Sequence, residues 1–259
     1  MDTIRKYGNA PYTIGLLHGG PGAAGEMRPV AEELSKNFSV LEFLQTKESI
    51  DEQIEELYQQ IDSVTEEPIT LVGFSWGAWL GGLFASRFPK KIKKLILISS
   101  GALDNKYNKD LMTIRLERLA TRERGEANNL LFKLNSEQSS DNDLKRFGEL
   151  MEKADSYCIL EDLSTDAVDV NFSIYNKVWT EAVSLRKTGE LKNVFAQIQC
   201  PVVAFHGDYD SHPIEGVNAP LSALLKDFKL IQLLKCGHTP WVEKYAKDVF
   251  YEHLRIELI

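Results

Sequence analysis

Cysteine is scarce in this 259-residue chain: Cys158, Cys200 and Cys236 are the only three, and none stands in CxxC spacing. An odd, widely spaced set offers neither a disulfide framework nor a thiolate metal cluster. Excess positive charge is missing too, with 30 Lys+Arg against 38 Asp+Glu and a net charge of −8. Without a basic run there is no electrostatic footprint for nucleic acid or an anionic membrane surface. Apolar runs stop at strand length, as in Leu95-Ile96-Leu97-Ile98, far short of the roughly 20 residues a spanning helix needs. Met1-Asp2-Thr3-Ile4-Arg5-Lys6 has no apolar segment behind its charges, unlike a secretory signal. These absences lead us to expect a soluble cytoplasmic protein with no nucleic-acid or membrane partner. Its five histidines are scattered without ligand spacing, so neither a metal nor a cofactor is expected.

What is present is ordinary globular material, 43% hydrophobic and 26% charged. Short apolar runs at residues 13–17, 38–43, 69–72 and 95–98 predict buried strands, and the segments 26–35, 50–63 and 76–88 between them predict helices. Pro89 closes the third helix and Pro68 precedes the third strand. Strands apolar on both faces that alternate with helices imply a parallel sheet covered on both sides. The rhythm breaks over residues 103–196, a charged, amphipathic block with helix-like segments at 111–124 and 143–154 and no convincing strand. It is too long for a loop and is expected to be an inserted element. Afterwards the pattern resumes, with strands at 202–205 and 229–234 and helices at 219–225 and 242–254.

Four motifs carry chemistry. Gly73-Phe74-Ser75-Trp76-Gly77 lies between a strand and a helix, where a sharp turn lifts a serine hydroxyl above the sheet. His18-Gly19-Gly20-Pro21-Gly22 ends the first strand of the pattern. Phe205-His206-Gly207-Asp208-Tyr209-Asp210 and Cys236-Gly237-His238-Thr239-Pro240-Trp241 follow the last two strands. A serine becomes a nucleophile when an imidazole takes its proton, and a buried carboxylate fixes that imidazole's tautomer. One competitor overlaps the second motif: Gly20-Pro21-Gly22-Ala23-Ala24-Gly25, with Glu42 on the next strand, fits a dinucleotide fingerprint. A phosphate loop fails, because Glu26-Met27 stands where Lys-Ser/Thr is required. His18 and His206 are expected as packed wall residues, His212 and His253 as solvated ones. Cys200 and Cys236 are expected as buried small hydrophobes, and Trp76 and Trp79 as core or pocket wall. The acids Glu161, Asp162, Asp166 and Asp169 are expected as a solvated face.

On these motifs the chain resembles the α/β-hydrolase family over residues 10–102 and 197–259, and the block 103–196 falls where that family carries a helical cap. The resemblance implies an α/β fold with a mostly parallel sheet of about six to eight strands, helices on both faces and an inserted cap. It implies a serine hydrolase that cleaves a small ester or amide through an acyl-enzyme. Carried over, the nucleophile is Ser75 and the base His238. The family pattern G-x-x-D selects Asp210 as the acid, with Asp208, nearer the strand end, as the alternative. The oxyanion donors would be the N–H groups of Trp76 and Gly20, with Gly19 the near alternative; Pro21 has no N–H to give. The HGGPG loop with Ser75-Trp76-Gly77 is also similar to the proline iminopeptidase branch, which holds a free amino group with cap carboxylates. Here the elbow lacks that branch's second glycine before serine, and no insert segment aligns with its amine-binding acids. The expected partner is a small molecule or short peptide. A non-catalytic or dinucleotide-binding protein is the alternative from another class. Substrate-binding residues and oligomeric state are not fixed by the sequence.

Overall fold

The computed structural model describes residues 3–136, 139–160 and 168–259. In chain order its strands are β1 (Ile4–Tyr7), β2 (Ile14–Leu17), β3 (Ala23–Ala24), β4 (Val40–Phe43), β5 (Ile69–Phe74), β6 (Ile92–Ile98), β7 (Asp169–Val170), β8 (Val202–Gly207) and β9 (Phe228–Leu233). The helices are α1 (Arg28–Leu34), α2 (Ile50–Asp62), α3 (Trp76–Arg87), α4 (Leu111–Arg118), α5 (Thr121–Leu134), α6 (Asp141–Asp155), α7 (Phe172–Thr188), α8 (Glu190–Phe195), α9 (Glu215–Leu224) and α10 (Lys247–Leu258). Seven strands form one sheet in the order β1-β4-β2-β5-β6-β8-β9. Only β1 runs antiparallel in it, paired to β4 at the edge. The expected mostly parallel sheet is therefore present.

Strand periodicity divides the core cleanly. Leu71, Leu95, Leu97, Val202 and Ala204 point to the face covered by α2, α3, α8 and α9. Their neighbours Val72, Ile96, Ile98, Val203 and Phe205 point to the face covered by α1 and α10. Alternate residues of each strand thus feed opposite layers, and both are apolar because both are covered. Helix α2 shows the same logic at helical spacing. Ile50, Ile54, Leu57 and Ile61 are buried, and Ser49 caps its start by accepting the Glu52 N–H at 3.3 Å. In α3 every residue from Trp76 to Ala85 is buried, since this helix lies between the sheet and the inserted block.

The block 103–196 consists of two parts. Helices α4, α5 and α6 gather around a core of their own, built on Leu119, Ala127, Leu130, Phe147 and Leu150. Helices α7 and α8 instead send Ile174, Val178, Ala182, Leu191 and Phe195 into the main core. Two expectations need correcting here. The helix predicted over 111–124 is two helices: Leu119 and Ala120 are extended, and the Glu123 carboxylate accepts the Ala120 N–H to start α5 afresh. The block also contains a strand, β7, two residues long and paired with β3 just beyond the HGGPG loop. Such a short pair leaves no hydrophobic alternation to read. Of the acids expected on a solvated face, Asp169 is exposed, while Glu161, Asp162 and Asp166 lie outside the described residues.

Candidate active site

His18, Ser75, Asp210 and His238 all follow the carboxyl ends of parallel strands β2, β5, β8 and β9, the edge where open α/β sheets bind ligands. Ser75 has φ 51° and ψ −109°, a left-handed conformation that a side chain rarely adopts. Its N–H donates to the Ile98 carbonyl at 2.9 Å, which pins the turn to β6. Glycines flank it for a steric reason. A Cβ on Gly77 would stand 2.5 Å from the Leu17 carbonyl oxygen, and one on Gly73 would collide with the Gly77 carbonyl. Ser75, Trp76, Gly20 and His238 line one cavity of about 370 Å³. Gly20 has φ 32°, and a Cβ on Gly19 would meet the Glu26 carboxylate and the Phe74 ring.

His238 Nδ1 lies 2.8 Å from Asp210 Oδ2. The carboxylate can only accept, so Nδ1 carries the hydrogen and Nε2 keeps its lone pair. Burial alone would raise the Asp210 pKa, but the imidazoles of His238 and His212 outweigh it and hold the carboxyl well below its usual range. Burial works the other way on His238; Asp210 overrides it and sets the imidazole above its ordinary 6.5. Asp208 is placed elsewhere: its carboxylate accepts the Cys236 N–H at 3.1 Å and ties the two loops together.

Three of the five histidines, His206, His212 and His238, converge around Asp210. His212, expected in solvent, is buried, because both its backbone N–H and its Nδ1 donate to Asp210 Oδ1 at 2.9 Å. Burial lowers its pKa to about 4, so it stays neutral, and its ring stacks on His238 at 4.7 Å. His206 donates from Nε2 to the His212 carbonyl at 2.8 Å. Asp210, His212 and His238 each bring a possible ligand atom within 4.8 Å of the others, yet both Nδ1 atoms are already committed to the carboxylate. His18 is buried as a wall residue and His253 is half-buried. Cys236 is buried, and burial pushes the half-buried Cys200 up to about 11, so neither is a ready thiolate.

The inserted block reaches both of these loops. Arg118 of α4 donates to the Tyr209 carbonyl and to Ser211 Oγ, each at 2.9 Å, bracketing Asp210. Arg115, one turn earlier, pairs with the buried Asp155, whose backbone carbonyl accepts the His238 N–H at 2.9 Å. Burial pushes the Asp155 carboxyl up, and Arg115 more than reverses this. Glu243, fully buried, accepts the N–H groups of Tyr157, Cys158 and Gly237 at 2.7–2.8 Å. Two other carboxyls face the cavity without a salt-bridge partner among the described residues: Glu26, raised by burial and by Glu152 to about 7, and Glu152, raised by burial and by Glu149. None of these residues carries a sequence motif; Arg115 and Arg118 share only a helical spacing of three.

A family model for the alpha/beta hydrolase fold matches residues 12–245. The chain belongs to this family. A curated relative, the cis-3-alkyl-4-alkyloxetan-2-one decarboxylase of Shewanella oneidensis, is 40% identical over 50 residues, which is 19% of this chain and 16% of that protein's length. Among solved structures, VinJ superposes with a TM-score of 0.72 at 16% identity, covering 98% of this chain and 93% of its own. The enol-lactonase of Burkholderia xenovorans gives a TM-score of 0.63 at 15% identity, covering 98% and 95%. At such identities the likeness is one of fold. Among the described residues no helix is long and apolar enough to cross a membrane.

Proposed function

We propose that the protein is a serine hydrolase that cleaves a small ester or amide through an acyl-enzyme. The observation that carries this is His238, which is bonded to Asp210 at 2.8 Å and lines one cavity with a serine held at φ 51°. His238 Nε2 takes the Ser75 proton as Oγ attacks the carbonyl carbon. The oxyanion forms against the N–H groups of Trp76 and Gly20, each worth about 2.7–4 kcal/mol of barrier in comparable sites. The imidazolium, stabilised by Asp210, returns the proton to the leaving oxygen or nitrogen. Water then repeats the sequence on the acyl-enzyme, which releases the acid and restores Ser75. A fluorophosphonate probe should label the wild type and not Ser75→Ala; equal labelling of both would overturn the assignment.

A second substrate class, an aminoacyl amide of the proline iminopeptidase kind, is favoured by Glu26 and Glu152. The two carboxyls are partly desolvated, have no salt-bridge partner among the described residues and stand close enough to His238 to feel its charge. A substrate ammonium would relieve the repulsion between them. Turnover of prolyl-naphthylamide far above p-nitrophenyl acetate would support this class, and absence of any prolyl activity would end it.

A further inference from the structure

Arg186 is the one arginine on the cavity wall without a carboxylate partner among the described residues. It sits near the end of α7, only 6% exposed, with its guanidinium 5.4 Å from the centre of the Trp79 ring. Its Nε–H has no hydrogen-bond acceptor. Arg115, which also lines the cavity, is paired with the Asp155 carboxylate through Nε and Nη2. A second buried donor nearby is also unmet: Trp76 Nε1–H lines the cavity without an acceptor, and the Trp76 and Trp79 rings are 6.4 Å apart. Burying a guanidinium without a counter-charge is costly, and arginine does not escape by losing its proton at working pH. Trp79 offers its ring face, which offsets part of the cost but accepts no hydrogen bond in the guanidinium plane.

We propose that the Arg186 end of the cavity is a carboxylate-binding subsite, so that the substrate is an ester or amide carrying a carboxylate apart from the bond that is cleaved. This rests on the serine-hydrolase function above. The planar fork of a guanidinium fits the two oxygens of a carboxylate, and the nearby indole N–H adds a further donor to the same wall. One cation balances one negative charge. A phosphate dianion would leave a charge unmatched against the aromatic wall of Trp79, Trp179 and Tyr175, whose stacked rings lie 6.0 and 6.4 Å apart.

The test compares anionic esters with neutral amides of the same shape, with the charge placed on either side of the scissile bond. One pair is mono-p-nitrophenyl glutarate and p-nitrophenyl glutaramate; the other is 4-acetoxybutanoate and 4-acetoxybutanamide. In the wild type the carboxylate of at least one pair should exceed its amide in kcat/KM by about tenfold or more, the size expected of one charge-assisted pair inside a cavity. That ratio should collapse towards one in Arg186→Met and be partly retained in Arg186→Lys. Ratios near one for both pairs in the wild type would overturn the proposal, as would a preference that survives Arg186→Met. Calorimetry with glutarate on Ser75→Ala adds an arm that needs no turnover: binding there, lost when Arg186→Met is added, supports the subsite even if no ester is hydrolysed. Binding unchanged by Arg186→Met would remove the subsite whatever the fate of the hydrolase assignment.

Discussion

The two halves of the candidate site are built in different ways. The serine half is local: Ser75, its two flanking glycines and the ends of β2, β5 and β6 fix its geometry within the sheet. The acid–histidine half is assembled from a distance. Asp210 is held by His212 and bracketed by Arg118, and His238 hangs from the Asp155 carbonyl. Glu243 then fastens residues 157 and 158 to the loop that carries His238. A strained turn in a sheet resists distant change. The other half should respond to changes in the inserted block, since the Arg118 brace and the Asp155 carbonyl come from there.

The sharpest way to break the comparison lies inside the second half, between its two acids. Asp210→Asn should lower kcat by about 10³–10⁴-fold, because an amide cannot stabilise the imidazolium and can impose the wrong tautomer. Asp208→Asn keeps an acceptor for the Cys236 N–H and should stay within a few-fold of wild type. Steady-state kinetics on a p-nitrophenyl ester decides between them, and equal losses would mean that both loops fail structurally. Next in size is Glu243→Ala, which leaves three N–H groups without their acceptor. It should cost about 3 kcal/mol or more of stability, read by urea unfolding. A change below about 1 kcal/mol would show that the clamp is replaceable by water.

Legibility follows the same division. The strand pattern, the Ser75 elbow and the order of Ser75, Asp210 and His238 stand in the sequence because strand periodicity and turn chemistry are local. The second imidazole on Asp210 is not legible there, because a histidine two residues past an acid has no signature until β8 and its loop are folded. Arg115 reaches Asp155 across 40 positions of chain and Arg118 reaches the Ala154 carbonyl across 36, and only the packing of α4 against the end of α6 brings them together. In the sequence Glu26 serves only to rule out a phosphate loop. Its raised carboxyl reflects burial in the cavity wall and the charge of Glu152, 126 residues later.

Arg118→Met tests the dependence on the insert directly. It keeps an unbranched side chain on α4 but removes both bonds that bracket Asp210, together with the guanidinium that lies 3.7 Å from the centre of the Tyr209 ring. The expected result is a fall in kcat of about tenfold, the worth of roughly one charged hydrogen bond, with KM changed less. A rise in KM with kcat unchanged would make Arg118 a substrate contact instead of a brace.

The smallest expected effect separates the two halves by pH. His238 must be neutral to act as base, and Asp210 raises its pKa, so kcat/KM for a neutral ester should climb with a midpoint above 6.5. Glu26 adds a second titration only where the substrate is cationic. Its carboxyl, raised mainly by burial, is neutral below about 7 and charged above, and only the charged form attracts an ammonium. The ratio of kcat/KM for an aminoacyl substrate to that for the neutral ester should therefore rise about two- to fivefold as pH passes through 7. It should fall again where the substrate amine loses its own proton, near 8. Glu26→Gln should flatten the rise and leave the His238 limb in place, because the amide cannot ionise. A ratio independent of pH in both proteins would remove Glu26 from substrate binding and leave the pH response wholly to the acid–histidine half.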